Sequence, residues 1–375
     1  MKVRAAVLTE AGMPPPYRSS RPLSVVELDL APPGPGEAMV RVHAAGLCHS
    51  DLSVINGTRP RPTPMVLGHE AAGVVEEVGP GVRDVRPGDH VVFSFVPVCG
   101  ACVECQSGRP ALCEPGAHAN RAGTLLHGTR PFHRAGEPVN HHLGVSAFTE
   151  RTVTSVASLI TVDKDVPLQR AALFGCAVLT GVGAVLNTAR ALPGTSATIF
   201  GLGGVGLSVV LGTRLAGCHP IIAVDTIEPK LTLAEQLGAT ETLLAGPDTV
   251  EQIHELTAGG AHYTFEAVGS TPVLREAYLA TRRGGTTISI GLPPPDAELT
   301  IPALSLITEQ RHLLGSYLGS AVPRRDIPRL LALHQAGRLP VEQLHDNTIH
   351  PGELNTAFDT LATGTTTRQI LTFTD

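Results

Sequence analysis

The stretch from Thr198 to Asp225 leaves this chain little choice of fold. Thr198-Ile199-Phe200 is β-branched and aromatic, the composition of a strand. Gly201-Leu202-Gly203-Gly204-Val205-Gly206 follows at once with the form G-x-G-x-x-G, and Leu207 to Ala216, mostly apolar and without Pro, predicts a helix. Ile221 to Val224 predicts a second strand, ending on Asp225. The first glycine permits the tight turn, the second lets a pyrophosphate approach the backbone, and the third lets helix and strand pack closely, while free N–H groups at the helix start hold the anion. Asp225 lies nineteen residues past Gly206, where a carboxylate can accept both ribose hydroxyls of NAD and would repel the 2′-phosphate of NADP. A lone G-x-G-x-x-G can be a Gly-rich core turn. The strand before, the helix after and the acid at that distance decide for a dinucleotide.

The same alternation runs on from 178 to 320. Glu228 to Gly238 reads as a helix closed by Gly, Thr264 to Val268 as a strand, Val273 to Thr281 as a helix and Thr286 to Ile290 as a strand. That is the pattern of a doubly wound parallel sheet. Residues 1–177 read differently. Ala38 to Ala45, Ala72 to Val78 and His90 to Phe93 are short strands set between Gly/Pro clusters such as Gly79-Pro80-Gly81, which predicts a small barrel. In 321–375 the chain returns to this first domain, with Ile327, Leu330, Leu331 and His334 on one helix face, Leu354, Phe358 and Leu361 on another, and Gln369 to Phe373 as a last strand.

A chain of 375 residues has room for two buried cores, which Val, Leu and Ala must fill, since aromatics are 3% and Trp is absent. The net charge of −6, with no Lys/Arg run, speaks against nucleic acid or an anionic membrane surface as partner. Two uncharged windows, Ala171 to Ala189 and Ala191 to Thr213, are rich in Gly, and the second is the nucleotide motif itself, so neither is read as a membrane span. Met1 to Leu8 runs straight into a predicted strand with no signal-peptide pattern, so a cytoplasmic location is expected.

Seven cysteines make an odd number for a disulfide framework, and four of them cluster as Cys99-x2-Cys102-x2-Cys105-x7-Cys113. Four thiolates so close can close one tetrahedral shell with no open position, which is a structural zinc site. The bacterial iron–sulfur run has three residues before its last Cys and Pro after it; here there are seven, and Glu114 follows. A second set is dispersed: Cys48-His49-Ser50-Asp51, Gly68-His69-Glu70, and Cys176 after Phe174-Gly175. Spacing alone does not join these, and a lone Cys is more often a small core hydrophobe. Glu114 to His142 is long and rich in Gly, Pro and His, and is expected to be a solvated surface loop rather than a further metal site for His118, His127, His133, His141 and His142.

Taken together, Cys48-His49-Ser50-Asp51, Gly68-His69-Glu70, the four-Cys loop, Gly175-Cys176, Gly201 to Gly206, Asp225 with Lys230, and Arg368 before the last strand resemble the zinc-dependent medium-chain alcohol dehydrogenases nearly end to end, in their long-loop, class I/III-like branch. The resemblance implies a GroES-like, mainly β catalytic domain beside a Rossmann domain. It implies two zinc ions per chain, one of them catalytic and bound by Cys48, His69 and Cys176, with water or substrate in the fourth position. That Cys₂His set is a known property of alcohol dehydrogenases and is carried over as such. The activity implied is NAD-dependent oxidation of a primary or secondary alcohol, or reduction of the aldehyde or ketone, by a homodimer or a tetramer.

The resemblance also implies roles. Ser50 takes the alcohol's proton; relatives pass it on to a His three residues later, but here that residue is Ser53, which leaves His49 or water as the final acceptor. His49 and Arg368 are expected at the pyrophosphate, Asp51 behind His69, Glu70 beside the zinc, Thr180 and Val205 against the nicotinamide, Val268 and Leu292 at the cofactor, and Lys230 at the adenosine ribose. Gly201, Gly203, Gly204 and Gly206 hold the phosphates. Phe95, Leu143 and Leu292 are expected to line the substrate pocket, with Arg59 and His118 nearer its mouth and the 114–142 insertion bordering the channel. Relatives that oxidise the glutathione adduct of formaldehyde hold it with an Arg early in that insertion; Ala117 stands about there, with Arg121 a few residues on, so this second activity is not favoured. A nucleotide-binding protein that has lost catalysis is the rival from another class, and the presence of all three catalytic ligands counts against it.

Overall fold

The structure is a computed structural model and describes residues 1–373. The chain folds as two compact units, one of Met1–Cys176, Val322–Ala332 and the chain from His345 on, the other of Ala177–Ala321 and Leu333–Leu344.

In the first unit Lys2–Leu8, Leu23–Leu30, Phe132–Arg134, Glu137–His141 and Met65–Val66 form a closed barrel. Alternate residues point inward, so Val3, Val7, Leu28, Leu30, Phe132 and Val139 meet in one core. Beside it runs a seven-stranded sheet in the order Leu159–Val162, His90–Phe93, Glu70–Val78, Glu37–Gly46, Arg368–Leu371, His345–Ile349, with Arg151–Ser155 also paired to Glu37–Gly46. The register of the central pair sets Gly46 opposite Glu70, and Ile370 of the C-terminal strand pairs with the same Gly46.

The segment 114–142 corrects the expectation of a solvated loop. Glu114–Ala122 is a helix, started by Pro115 and closed by Gly123 in the left-handed region (φ 66). Phe132–Arg134 and Glu137–His141 form a hairpin whose turn residues Ala135 and Gly136 have φ 52 and 87, the backbone of a two-residue primed turn. The hairpin completes the barrel, and Leu125, Phe132 and Val139 are buried in its core. Burial of a Phe of this kind contributes about 1.5–3 kcal/mol, which fixes a segment whose surface composition reads as loop.

The second unit holds a six-stranded sheet, Glu241–Leu244, Ile221–Asp225, Ala197–Phe200, Ala261–Glu266, Thr281–Ser289 and His312–Gly315, all neighbours parallel. The helices Gly204–Ala216, Glu228–Leu237, Thr249–Thr257 and Thr271–Leu279 pack against these strands. Phe200, Ile222, Val224, Ile253 and Ala277 form one of its cores. No single helix among the described residues is long and apolar enough to cross a membrane. The tail, 321–375, is shared between the two units. Leu339, Val341 and Leu344 are buried, and the short turn Val341–Leu344 packs on the helix Gly204–Ala216, which takes Leu333–Leu344 into the second unit.

The turn Gly201–Gly206 rests on one close approach. Gly201 has φ 88, which only Gly adopts freely, and a Cβ on Gly206 would lie 1.7 Å from the Gly201 carbonyl oxygen. Gly203, by contrast, has ordinary extended backbone (φ −73) and nothing within 4 Å of its Cβ direction. Gly206→Ala is therefore expected to cost about 2 kcal/mol or more and to lower the melting temperature of this unit by roughly 5 °C, whereas Gly203→Ala melts close to the parent protein. Equal melting of the two variants in calorimetry would show that the Gly201 contact does not hold the turn.

Candidate active site

The sheet register assembles the first cluster. Glu37–Gly46 and Glu70–Val78 are antiparallel with Gly46 opposite Glu70, so the residues just past one strand's end and just before the other's start meet. Those are Cys48 and His69. Cys176 joins them from the turn Leu173–Gly175, which packs on Glu70–Val78 and His90–Phe93. The ligand atoms of Cys48, His69 and Cys176 lie within 4.8 Å of one another, all three residues buried. Cys176 Sγ is 3.5 Å from His69 Nε2. A tetrahedral zinc with ordinary Zn–S and Zn–N bonds has an S···N edge of about 3.6 Å, so this donor set fits the ion, and three donors leave one corner open.

Charge is arranged to favour that set. Cys48 is held well below the usual thiol range by the hydrogen bond from Cys176 and then by Arg368 and His69, against the opposing effect of burial. Cys176 is pushed the other way by its neighbour Cys48 and by burial. Burial works against a charged His69, yet the Asp51 carboxylate and Cys48 hold its pKa well above the ordinary histidine value. His69 Nδ1 is 3.1 Å from Asp51 Oδ2, a contact close in distance though not aligned as a hydrogen bond, and it leaves Nε2 toward the two sulfurs. Phe95 closes the other side, its ring edge-on to His69 at 5.4 Å between centroids.

Arg368, expected at the cofactor phosphates, also belongs to this cluster: it is 3% exposed, with Nε 3.3 Å from Glu70 Oε1, Nη1 donating to the Leu47 carbonyl at 3.0 Å and Nη2 donating to Cys48 Sγ at 3.8 Å. The cause is again register: the strand Arg368–Leu371 pairs beside Gly46 and brings the guanidinium to the Cys48–Glu70 corner. No sequence signal marks this pairing.

The remaining expected residues of this unit are placed as follows. His49 and Ser50 open the helix His49–Ile55, the first exposed and the second half-buried. The Ser53 hydroxyl donates to the His49 carbonyl at 2.8 Å. Leu143 is buried, Arg59 half-buried, and His118 exposed on the helix Glu114–Ala122.

The second cluster is local. The sulfurs of Cys99, Cys102, Cys105 and Cys113 lie within 4.8 Å of one another, with Cys99 and Cys105 at 4.0 Å, near the edge of about 3.8 Å that a four-sulfur zinc shell has. Backbone N–H groups aim at the sulfurs: Cys102 and Ala101 at Cys99 Sγ, Cys99 and Gly116 at Cys113 Sγ. The Cys105 backbone lowers the Cys102 thiol to about 6, while burial and Cys102 push Cys105 up to about 12. Such a set gives up its first proton readily and its others only to a cation.

In the second unit the dinucleotide motif is in place as a turn. The Leu202 N–H donates to Asp225 Oδ2 at 2.7 Å, which brings the carboxylate under the glycine turn, and Ile227 N–H donates to Oδ1 at 3.1 Å. Val268 packs against Gly201, Leu292 lies along the backbone of Gly269, and both side chains are exposed. Thr180 and Lys230 are buried, on the helices Ala177–Gly183 and Glu228–Leu237.

Comparison with known proteins agrees with these two arrangements. Residues 34–163 match the alcohol dehydrogenase GroES-like domain family, and residues 204–336 match the zinc-binding dehydrogenase family. An S-(hydroxymethyl)glutathione dehydrogenase of Paracoccus denitrificans is 37% identical over 384 residues, covering 100% of both chains. The crystal structure of an alcohol dehydrogenase zinc-binding domain protein from Burkholderia ambifaria is 36% identical and superposes with a TM-score of 0.93, covering 100% of both chains. That of benzyl alcohol dehydrogenase from Acinetobacter calcoaceticus is 32% identical, with a TM-score of 0.93 and the same coverage. The chain belongs to the zinc-dependent medium-chain alcohol dehydrogenases, oxidoreductases that pass a hydride between an alcohol and NAD.

Proposed function

We propose that this enzyme oxidises a primary or secondary alcohol with an apolar or aromatic group next to the carbinol carbon, and that NAD rather than NADP takes the hydride. The observation that carries the reading is the convergence of Cys48, His69 and Cys176 into one buried set of three donors. Zinc bound there supplies Lewis acidity, which brings an alcohol's proton within reach near neutral pH. Phe95, edge-on to His69, makes that side of the site apolar, which excludes water and favours an apolar substituent, and we place the buried Leu143 with it. Ser50 accepts the alcohol's proton. Ser53 cannot carry it onward as an imidazole would, and its hydroxyl is tied to the His49 carbonyl; the exposed His49 ring is the acceptor we assign beyond Ser50. Asp225 holds the adenosine ribose through the carboxylate face its two backbone donors leave free, and Lys230 supports it.

The Paracoccus relative is named for S-(hydroxymethyl)glutathione, which makes a thiol-dependent formaldehyde dehydrogenase the second reading. In this chain Ala117 stands near the position where such enzymes hold the adduct, and Arg121 is exposed on the same helix. A screen of aliphatic, allylic and benzylic alcohols with NAD and with NADP, and of formaldehyde with and without glutathione, separates the readings. NADH formation from benzylic or allylic alcohols without thiol is expected. Turnover confined to formaldehyde plus glutathione would replace the first reading by the second.

We further assign two zinc ions per chain. Elemental analysis should give two in the parent protein and one in each of Cys48→Ser and Cys102→Ser. Cys48→Ser should lose turnover with little change in melting temperature, and Cys102→Ser should melt lower. One zinc in the parent protein would remove the division into a catalytic and a structural ion.

A homodimer is the assembly we propose. The strand His312–Gly315 is the edge of the parallel sheet, and Leu304, Ile307 and Leu314 near it are 69%, 77% and 40% exposed. An open edge with apolar side chains beside it is covered in stable proteins, and a second copy covers it symmetrically. Light scattering should give twice the chain mass for the parent protein and the chain mass for Ile307→Glu. A parent protein of single-chain mass at micromolar concentration would dismiss the dimer.

A further inference from the structure

His142 has no part in the roles above, yet it is 1% exposed and lies directly behind the metal cluster. Its Nε2 is 3.4 Å from Asp51 Oδ1, and its ring meets that of His69 edge-on, 5.8 Å between centroids at 77°. The other oxygen of the same carboxylate is 3.1 Å from His69 Nδ1. The Gly68 N–H donates to Asp51 Oδ1 at 3.1 Å. One buried carboxylate therefore stands between two imidazoles. The oxygen shared by Gly68 and His142 is the anchored one, and the other faces His69.

The loop that carries His142 is held unusually firmly. The His142 N–H donates to Ser146 Oγ at 2.7 Å, and that hydroxyl donates to the Val66 carbonyl at 2.8 Å. The N–H groups of Val145 and Ser146 donate to the His142 carbonyl at 3.0 and 3.1 Å. Thr152 Oγ1 donates to the Val145 carbonyl at 2.9 Å. Leu143 and Ser146 are both left-handed, with φ 51 and 47. Each such residue costs on the order of 1 kcal/mol and persists only where its surroundings over-determine it. Here the surroundings fix the backbone of the turn that follows one imidazole.

We propose that His142 is a positioning residue of the catalytic metal cluster: its Nε2–H anchors one oxygen of Asp51, so that the other oxygen holds His69 Nδ1–H and His69 Nε2 keeps its lone pair toward Cys48 and Cys176. This rests on the reading that Cys48, His69 and Cys176 hold zinc. The physical need is plain. A carboxylate with one weakly held oxygen can rotate about its Cβ–Cγ bond and present either face. A His ligand whose partner rotates loses its fixed tautomer and its aim. Neither ring nitrogen of His142 makes an aligned hydrogen bond among the described residues; Nε2 is the one that faces a carboxylate oxygen, at 3.4 Å, and Nδ1 is left buried without a partner. A bare lone pair is tolerated there more readily than an orphan N–H, which places the proton on Nε2.

The test uses the full chain, stripped of metal and titrated with Zn²⁺ and with Co²⁺. His142→Phe keeps the volume and removes the donor. Its cluster is expected to bind zinc about tenfold more weakly, with altered visible bands of the Co²⁺ form and a lowered kcat at little-changed KM. His142→Gln returns an N–H to the place of Nε2 and is expected to restore affinity and spectrum to within about threefold of the parent. His142→Asn, too short to reach Asp51, is expected to behave like His142→Phe and serves in its place if that variant does not fold. Unchanged zinc affinity and Co²⁺ spectrum in His142→Phe would overturn the proposal. So would a change confined to KM, which marks a side chain that only lines the substrate pocket. Failure of the underlying zinc reading shows in the parent protein instead, as Co²⁺ uptake that Cys48→Ser leaves unaltered.

Discussion

The pairing of Gly46 with Glu70 is the constraint on which the metal cluster depends. Slipping that register by one residue would turn every side chain of one strand to the opposite face relative to the other and separate Cys48 from His69. The inner residues there are small: Ala44, Ala45, Ala71 and Ala72 are all buried. They let a third strand, Arg368–Leu371, come alongside Gly46. Gly46 itself could not carry a side chain, since a Cβ would lie 2.4 Å from Glu70 Oε1. Irregularities between Met39 and Val40 and between Val42 and Ala44 bend the strand on its way to the site, as bulges do where side chains must be re-aimed. Three strands distant in sequence thus deliver two metal ligands, a carboxylate and a guanidinium to one corner.

That corner shows how buried charge is tolerated. Glu70 and Arg368 are both nearly inaccessible, and their 3.3 Å pair offsets one negative charge with one positive. Such a pair adds little net stability, but either member alone would be costly, by about 3–5 kcal/mol. Asp51 is held differently, by a hydrogen bond from the Gly68 N–H and by two imidazoles in close approach, 3.1 and 3.4 Å away. What remains are the thiols of Cys48 and Cys176, whose full ionisation nothing else in the cluster balances. A divalent cation completes the balance, which is why the donor set and the charge set point to the same ion.

Legibility in the sequence followed the range of the interactions. The dinucleotide turn was readable residue by residue, because Gly201, Gly206 and Asp225 act on neighbours within one strand–turn–helix–strand unit. The four-cysteine loop was readable for the same reason. Cys48, His69 and Cys176 were joined only through resemblance, since the register that unites them is set by strands far apart. The contacts of Arg368 with Glu70 and Cys48 are not legible, because nothing local shows that its strand docks beside Gly46. The 114–142 segment was misread because its polar composition hides three core residues, Leu125, Phe132 and Val139, that matter only once the barrel exists to receive them. Its local punctuation, Pro115 and Gly123 around a helix and Ala135-Gly136 at a turn, was present throughout. That Leu333–Leu344 groups with the second unit is not legible, because helix periodicity tells which face is buried and not against what.

The divisions of the chain also divide the chemistry. Every proposed ligand of both zinc sites lies in the first unit, and Cys176 is its last residue before Val322. The glycine turn, Asp225, Lys230 and Thr180 lie in the second, which begins at Ala177. The two parts are built by different means. The nucleotide turn is stabilised by backbone contacts a few residues apart and by parallel strands that bury both faces. The metal cluster is stabilised by antiparallel strands drawn from the two ends of the chain, and by buried charges that need one another. A substitution in the turn therefore acts through steric fit, and its effect falls off quickly with distance. A substitution in the cluster acts through charge and orientation, so a side chain that touches no ligand donor atom, such as His142 at Asp51, can still alter how the ligands stand.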